Sequence, residues 1–134
     1  MCSRRHRLSR VRRVDPRALA GERWIAFPGR PGAAREPYAS ALARGLAVLG
    51  LDAVDILPSD SLTAQKRMVE AGFGLALLPA SSVDEELRSG ALRVLRIPAL
   101  RATVPVVLIH RRRAYLSGAA RALIAELTAW PARR

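Results

Sequence analysis

Ser59, Ser61, Ser81 and Ser82 stand just past two prolines, Pro58 and Pro79, each of which closes an apolar run. A hydroxyl at such a point can cap the start of a following helix. Together with the unpaired N–H groups of that helix start, it can also hold a carboxylate. A third point of this kind is Pro28-Gly29-Arg30, which follows the apolar run Trp24-Ile25-Ala26-Phe27 and adds a guanidinium. In open α/β sheets, ligands bind beyond the carboxyl ends of the strands, so three such ends define one binding layer. The candidate ligand-binding residues are therefore Pro28, Gly29, Arg30, Ser59, Ser61, Pro79 and Ser81, with a small carboxylate as the ligand class. For any single serine a helix cap is the commoner role. The three sites together carry the binding reading.

Other chemistry has little support. His6 and His110 lie far apart, and Cys2 is the sole cysteine, so neither a zinc site nor an internal disulfide is expected. His110 ends an apolar run and reads as an edge or hinge residue. Gly29-Arg30-Pro31-Gly32 resembles a phosphate loop superficially, but it lacks the lysine and hydroxyl, and Pro31 has no N–H to offer. Asp84, Glu85 and Glu86 are adjacent acids at a helix start, where the helix dipole favours them without any catalytic part. No nucleophile elbow or dinucleotide fingerprint is present. Neither an enzyme nor a cofactor is expected.

The elements that must position the candidate residues follow from apolar spacing and punctuation. Trp24 to Phe27, Ala53 to Leu57, Leu75 to Leu78, Ala91 to Ile97 and Val104 to His110 read as strands. A helix starts at Pro37, buries Tyr38, Leu42, Leu46 and Leu49, and stops at Gly50. A second, capped by Asp60 or Ser61, carries Leu62, Gln65, Met68 and Val69 and ends at Gly72. Ser82 and Glu85 fit a capping box for a third, which closes at Gly90. A last helix opens at Leu116-Ser117, carries Leu123, Ile124, Leu127 and Trp130, and ends before Pro131. Strands alternating with helices predict an α/β fold with a parallel-rich sheet.

The 134 residues suffice for one domain with a core, and half of them are apolar. No apolar run approaches the roughly 20 residues of a membrane helix, and no apolar segment backs the N-terminal charges as in a signal peptide. The chain is read as cytoplasmic, with no membrane partner. Of the net charge of +12, Arg4, Arg5, Arg7, Arg10, Arg12 and Arg13 contribute six before residue 14. Such a basic tail can touch phosphate backbones through counterion release. Lys66 is the one lysine, so an arginine-rich composition explains the tail as well.

From about His6 to Leu127 the chain resembles the C-terminal effector-binding part of LysR-type transcriptional regulators. "HRLSR" is similar to the family's HPLA-like segment, with Arg7 in place of its proline. "VDPRALAGERWIAF" resembles the lead into the first strand of the second regulatory subdomain. "DSLTAQKRMVEAGFGLALLP" resembles the family's helix, Gly-x-Gly break and buried strand ending in proline. "LRSGALRVLRIP" and "PVVLIHRRRAYLSGAARALIAEL" are similar to its closing strands and last helix. The resemblance implies one lobe of a periplasmic-binding-protein type 2-like fold, with a return strand and final helix, and a small effector held at a cleft between lobes. It divides the chain into a basic tail at 1–13, a second regulatory lobe at 14–103, and a return hinge strand with the C-terminal helix at 104–134.

The family also has an N-terminal winged helix-turn-helix that binds DNA, a linker helix, and a dimeric or tetrameric assembly. These and most of a first lobe have no counterpart in the sequence. The chain is accordingly expected to be a truncated product that meets DNA only through a missing domain. The last helix and return strand would normally pack on the first lobe, so self-association is expected. Two rival readings are a small basic nucleic-acid-binding protein and a solute-binding-protein-like ligand module. The first calls for salt-sensitive affinity that needs no effector. A missing second lobe and signal peptide count against the other.

Overall fold

The structure, a computed structural model, describes residues 1–28, 37–51, 53–104, 107–111, 113 and 115–130. It divides into two compact units, Met1–Val104 and Pro105–Arg134.

The first unit is built round a short parallel sheet. Strand β2 (Arg23–Ala26) lies between β3 (Asp55–Pro58) and β4 (Leu75–Ala76). Its residues Trp24, Ile25 and Ala26 are all buried, as a central parallel strand covered on both faces requires. Successive side chains of a strand point to opposite faces. Trp24 and Ala26 join Leu42 and Leu46 of helix α1 (Pro37–Val48) in one core, while Ile25 joins Val69 of helix α2 (Leu62–Glu70) and Val83 in another. Helices thus cover both faces, and one α/β unit follows from the alternation of elements.

The order of residues in α1 matches its task. Pro37 begins it, and Leu42 and Leu46 are buried while Leu49 packs from the rim. Helix α2 starts at Ser61, whose hydroxyl accepts the Ala64 N–H. It buries Gln65 and Val69 on one face. The Gly-x-Gly break that follows has two separate causes. Gly72 has φ +88°, the left-handed region where a side chain is strained. Gly74 passes so close to the Arg23 carbonyl that a Cβ there would collide with β2.

Several expected elements differ. Strand β4 ends at Ala76, two residues before the predicted limit, although Leu78 remains buried. It has only β2 as a ladder partner in the sheet, while Met1 exchanges backbone hydrogen bonds with Ala76. The strand expected over Ala91–Ile97 is reduced to β5 (Leu92–Arg93). It does not join the parallel sheet but pairs antiparallel with β1 (Cys2–Ser3). Val94 beyond it is exposed, and the chain turns in again at Ile97 ahead of the 3-10 turn Pro98–Leu100.

The predicted capping box is absent. Helix α3 (Asp84–Ser89) begins one residue later than that box requires, so its N-cap is Val83, which has no side-chain acceptor, while Ser82 lies in the preceding 3-10 turn with its hydroxyl donating to the Pro79 carbonyl at 2.8 Å. The stretch expected as a strand from Val104 to His110 forms none among its described residues, with Val107, Leu108 and Ile109 exposed and without a partner ladder. Pro105 and Val106 lie outside the described residues.

Residues 1–13, read as a tail, enter the fold instead. Cys2 and Leu8 are in the core, and Arg7–Arg10 form a 3-10 turn. His6 pins this segment to the approach to β2. Its Nδ1 accepts the Leu8 N–H, which leaves Nε2 to carry the proton and donate to Glu22 Oε2 at 3.0 Å. The Arg7 guanidinium lies 2.6 Å from the other Glu22 oxygen, close enough for an ion pair though not aligned as a hydrogen bond.

The second unit, among its described residues, is helix α4 (Gly118–Ala129), started by Ser117, whose hydroxyl accepts the Ala120 N–H. No residue of α4 is buried, and Leu123, Leu127 and Trp130 are all at least half exposed. No helix among the described residues is long and apolar enough to cross a membrane.

Candidate functional site

The register of the sheet fixes where its carboxyl edge lies. Ala26 stands opposite Pro58, and Ile25 stands between Leu57 and Ala76. The three strands therefore end at one edge, and the chain leaves it as Phe27-Pro28, Ser59–Ser61 and Leu77–Ser82. The Ser59 N–H donates to the Ala26 carbonyl at 2.9 Å, so the turn after β3 is drawn onto the end of β2. Buried Gln65 holds that turn from below: its Nε2 donates to the Ser59 carbonyl at 2.8 Å.

Of the predicted residues, Pro28 and Ser59 follow β2 and β3 at this edge and Ser61 caps α2 just beyond, whereas Pro79 and Ser81 lie past the end of β4, at the N-cap of and within the 3-10 turn Ala80–Ser82. Gly29 and Arg30 lie outside the described residues. Pro28, Ser61 and Ser81 are exposed, and Ser59 and Pro79 are half-buried. Asp60, exposed between the two serines, adds a negative charge to the same turn.

The serines are not equivalent as donors. A hydroxyl has one proton to give and two lone pairs. Ser59 directs its proton towards the Ser61 carbonyl in a long contact of 3.4 Å, and Ser82 gives its own to Pro79. Ser61 spends a lone pair on the Ala64 N–H and keeps its proton. The Ser81 side chain has no hydrogen-bond partner among the described residues. Helix α2 adds the N–H groups of its first turn, which have no intrahelical acceptor. Its positive end favours an anion by roughly 0.3–1 kcal/mol.

Two features at or beside this edge were not read as site elements. Phe27, just past β2, has its ring 6.2 Å from that of Tyr38 in the first turn of α1. Beside them an apolar groove of about 370 Å³ runs between α1 and the β2–β3 pair, lined among others by Ala26, Phe27, Leu42, Leu46, Val54 and Ile56. The periodicity of α1 had marked Tyr38 as a core residue only. Gln65 was likewise read as one more residue of a buried helix face. A polar side chain at a core position was the available signal, since a buried amide requires a partner.

Beyond α2, the Lys66 ammonium donates to Glu86 Oε1 at 2.6 Å and to the Ser82 carbonyl at 2.9 Å. It thereby ties α2 to α3 and to the turn carrying Ser81. The hydrogen bond from Lys66 holds the Glu86 carboxyl below the usual carboxylate range.

The chain matches the model of the LysR substrate binding domain over residues 1–132 of its 134, and it belongs to that family. Neither a curated protein nor a solved structure gives a match. LysR substrate-binding domains bind small-molecule effectors within transcription regulators and are not enzymes.

Proposed function

We propose that the Met1–Val104 unit binds a small carboxylate effector at the carboxyl edge of its sheet and passes that signal to the rest of a transcription regulator. One observation carries this reading. The β2–β3–β4 register gathers three loop starts at one edge, and among the described residues the Ser61 and Ser81 hydroxyl protons and the Leu62 and Thr63 N–H groups at the start of α2 have no acceptor. Arg30 stays a candidate counter-charge for the carboxylate on the sequence reading alone.

Sequence-specific DNA recognition belongs, in this reading, to a helix-turn-helix domain, and the effector domain works in the cytoplasm beside it. The exposed Leu123, Leu127 and Trp130 of α4 support self-association through that helix face.

The test is calorimetric titration of small mono- and dicarboxylates into wild type, Ser61→Ala and Ser40→Ala. A lost hydrogen bond to a charged group costs about 1.5–3 kcal/mol, so Ser61→Ala should bind roughly ten- to a hundredfold more weakly. Ser40, on α1, should change nothing. Equal affinity in all three proteins would remove Ser61 from the site.

A further inference from the structure

A second polar concavity lies away from the strand ends. Among the described residues, an open cleft of about 450 Å³ is lined by Arg4, Arg5, Ser9, Arg10 and Arg93, four guanidinium-bearing residues and no acid. The folding of residues 1–10 makes it: β1 pairs with β5 so that Ser3 stands opposite Leu92 and Cys2 opposite Arg93, while the 3-10 turn carries Arg10 round to the same side. The Ser9 hydroxyl donates to the Arg4 carbonyl at 2.9 Å and holds that turn against the strand's exit.

The charge is uncompensated. Arg7, Arg23 and Arg67 each have a carboxylate within ion-pair distance, but the side chains of Arg4, Arg5, Arg10 and Arg93 have no such partner or hydrogen bond among the described residues. The adjoining cleft, which also reaches Arg4 and Arg5, contains Glu70, Glu85 and Glu86. Two of those acids are engaged by Arg67 and Lys66. Like charges converging on one concavity repel each other, and an anion of high charge density relieves that repulsion. Guanidinium forks match phosphate oxygens in particular.

We infer that the Arg4–Arg5–Arg10–Arg93 cleft is a phosphate-binding site that takes the backbone of a nucleic acid, separate from the effector edge. Four like charges suit a polyanion better than a single small ion. No apolar or aromatic side chain among the described residues lines the cleft, so these residues offer nothing to insert into a bilayer or to stack on a base. Binding is therefore blind to sequence and sensitive to salt.

The experiment is fluorescence anisotropy of a labelled random-sequence duplex of about 20 base pairs at 50 and 200 mM salt. It compares wild type, Arg4→Gln/Arg93→Gln, and the charge-matched control Arg12→Gln/Arg13→Gln, whose positions are exposed outside the cleft. With four phosphate contacts the slope of log K against log salt is about −3.6, so wild type should lose roughly a hundredfold in affinity across that range. The cleft variant should lose only about tenfold, and should bind more weakly at 50 mM. The control should keep the wild-type slope. Circular dichroism melting reports folding, and none of the substituted side chains holds a hydrogen bond or ion pair among the described residues. Equal effects of the two variants would reduce the binding to diffuse charge and overturn the site. Cleft-dependent binding of phosphatidylserine vesicles or of tripolyphosphate, with no duplex binding, would also overturn the nucleic-acid assignment.

Discussion

Gln65 is the buried support of the effector edge, and replacing it tests how that edge is built. Its side chain is 1% exposed, and its amide donates at 2.8 Å to the Ser59 carbonyl, whose own N–H is bonded to the end of β2. Gln65→Leu keeps most of the volume and removes the donor, leaving the carbonyl of half-buried Ser59 short of its partner. That costs about 1–3 kcal/mol. In a unit of this size each kcal/mol lowers the melting temperature by roughly 4–8 °C, so a fall of about 8–16 °C is expected for the middle of the range. Gln65→Glu goes further, because its carboxylate would face the carbonyl as a second acceptor and be buried without a counter-charge. Burial and the missing donor raise the folded-state pKa of such an acid above its ordinary value of about 4.3. The sign follows: the penalty is absent below the unfolded pKa and grows as pH rises towards the folded one. Gln65→Glu should come nearest to wild type around pH 4 and fall furthest behind at neutral pH. Urea unfolding followed by Trp24 fluorescence is the assay, since Trp24 is buried in β2 while Trp130 is already exposed. If Gln65→Leu is as stable as wild type and Gln65→Glu shows no pH trend, the Ser59 turn does not hang on this side chain.

Three further outcomes are expected. Gly74→Ala should cost about 1–3 kcal/mol by forcing β4 away from the Arg23 carbonyl, whereas Gly21→Ala, with open space round its Cβ, should be nearly silent; equal melting temperatures would refute the close approach. The Lys66–Glu86 pair lowers the Glu86 pKa, so its stabilisation is present above the unfolded value and lost as pH falls through the folded one. Glu86→Gln should flatten the acid limb of the stability profile, and an unchanged limb counts against the pair. Sedimentation should show the wild type self-associating and Leu123→Glu/Leu127→Glu shifted to monomer, with a monomeric wild type ending that proposal.

The helices were legible because their signals are local. Pro37, the Ser61 cap and Gly72 mark boundaries within one or two residues of those observed. Strand extents were less so, since a ladder ends where its neighbour does. Leu75 to Leu78 is apolar throughout, yet only Leu75 and Ala76 find paired backbone on β2. Val104 to His110 shows the same limit, with β-branched and apolar residues but no ladder among those described. The pairing of Cys2 with Arg93 joins residues some ninety positions apart, and no local pattern announces it. The arginine cleft therefore could not be read from the run of arginines alone.

The site was legible as a place but not as a set of roles. Sequence sets Ser59, Ser61, Ser81 and Ser82 side by side as hydroxyls that either cap helices or bind a ligand. Capping takes a lone pair and binding a carboxylate takes a proton, so the two roles of Ser61 do not compete. Ser82 is different, because its proton is already directed to the Pro79 carbonyl, and a ligand would have to displace that bond. Donor direction depends on where the chain returns three residues earlier, which composition and spacing leave undetermined. Ser61→Ala and Ser81→Ala should therefore each weaken effector binding, while Ser82→Ala should act on the turn at Pro79 and leave affinity within about twofold. A Ser82→Ala protein that loses affinity as Ser61→Ala does would show that hydroxyl position, and not the direction of its proton, defines the site.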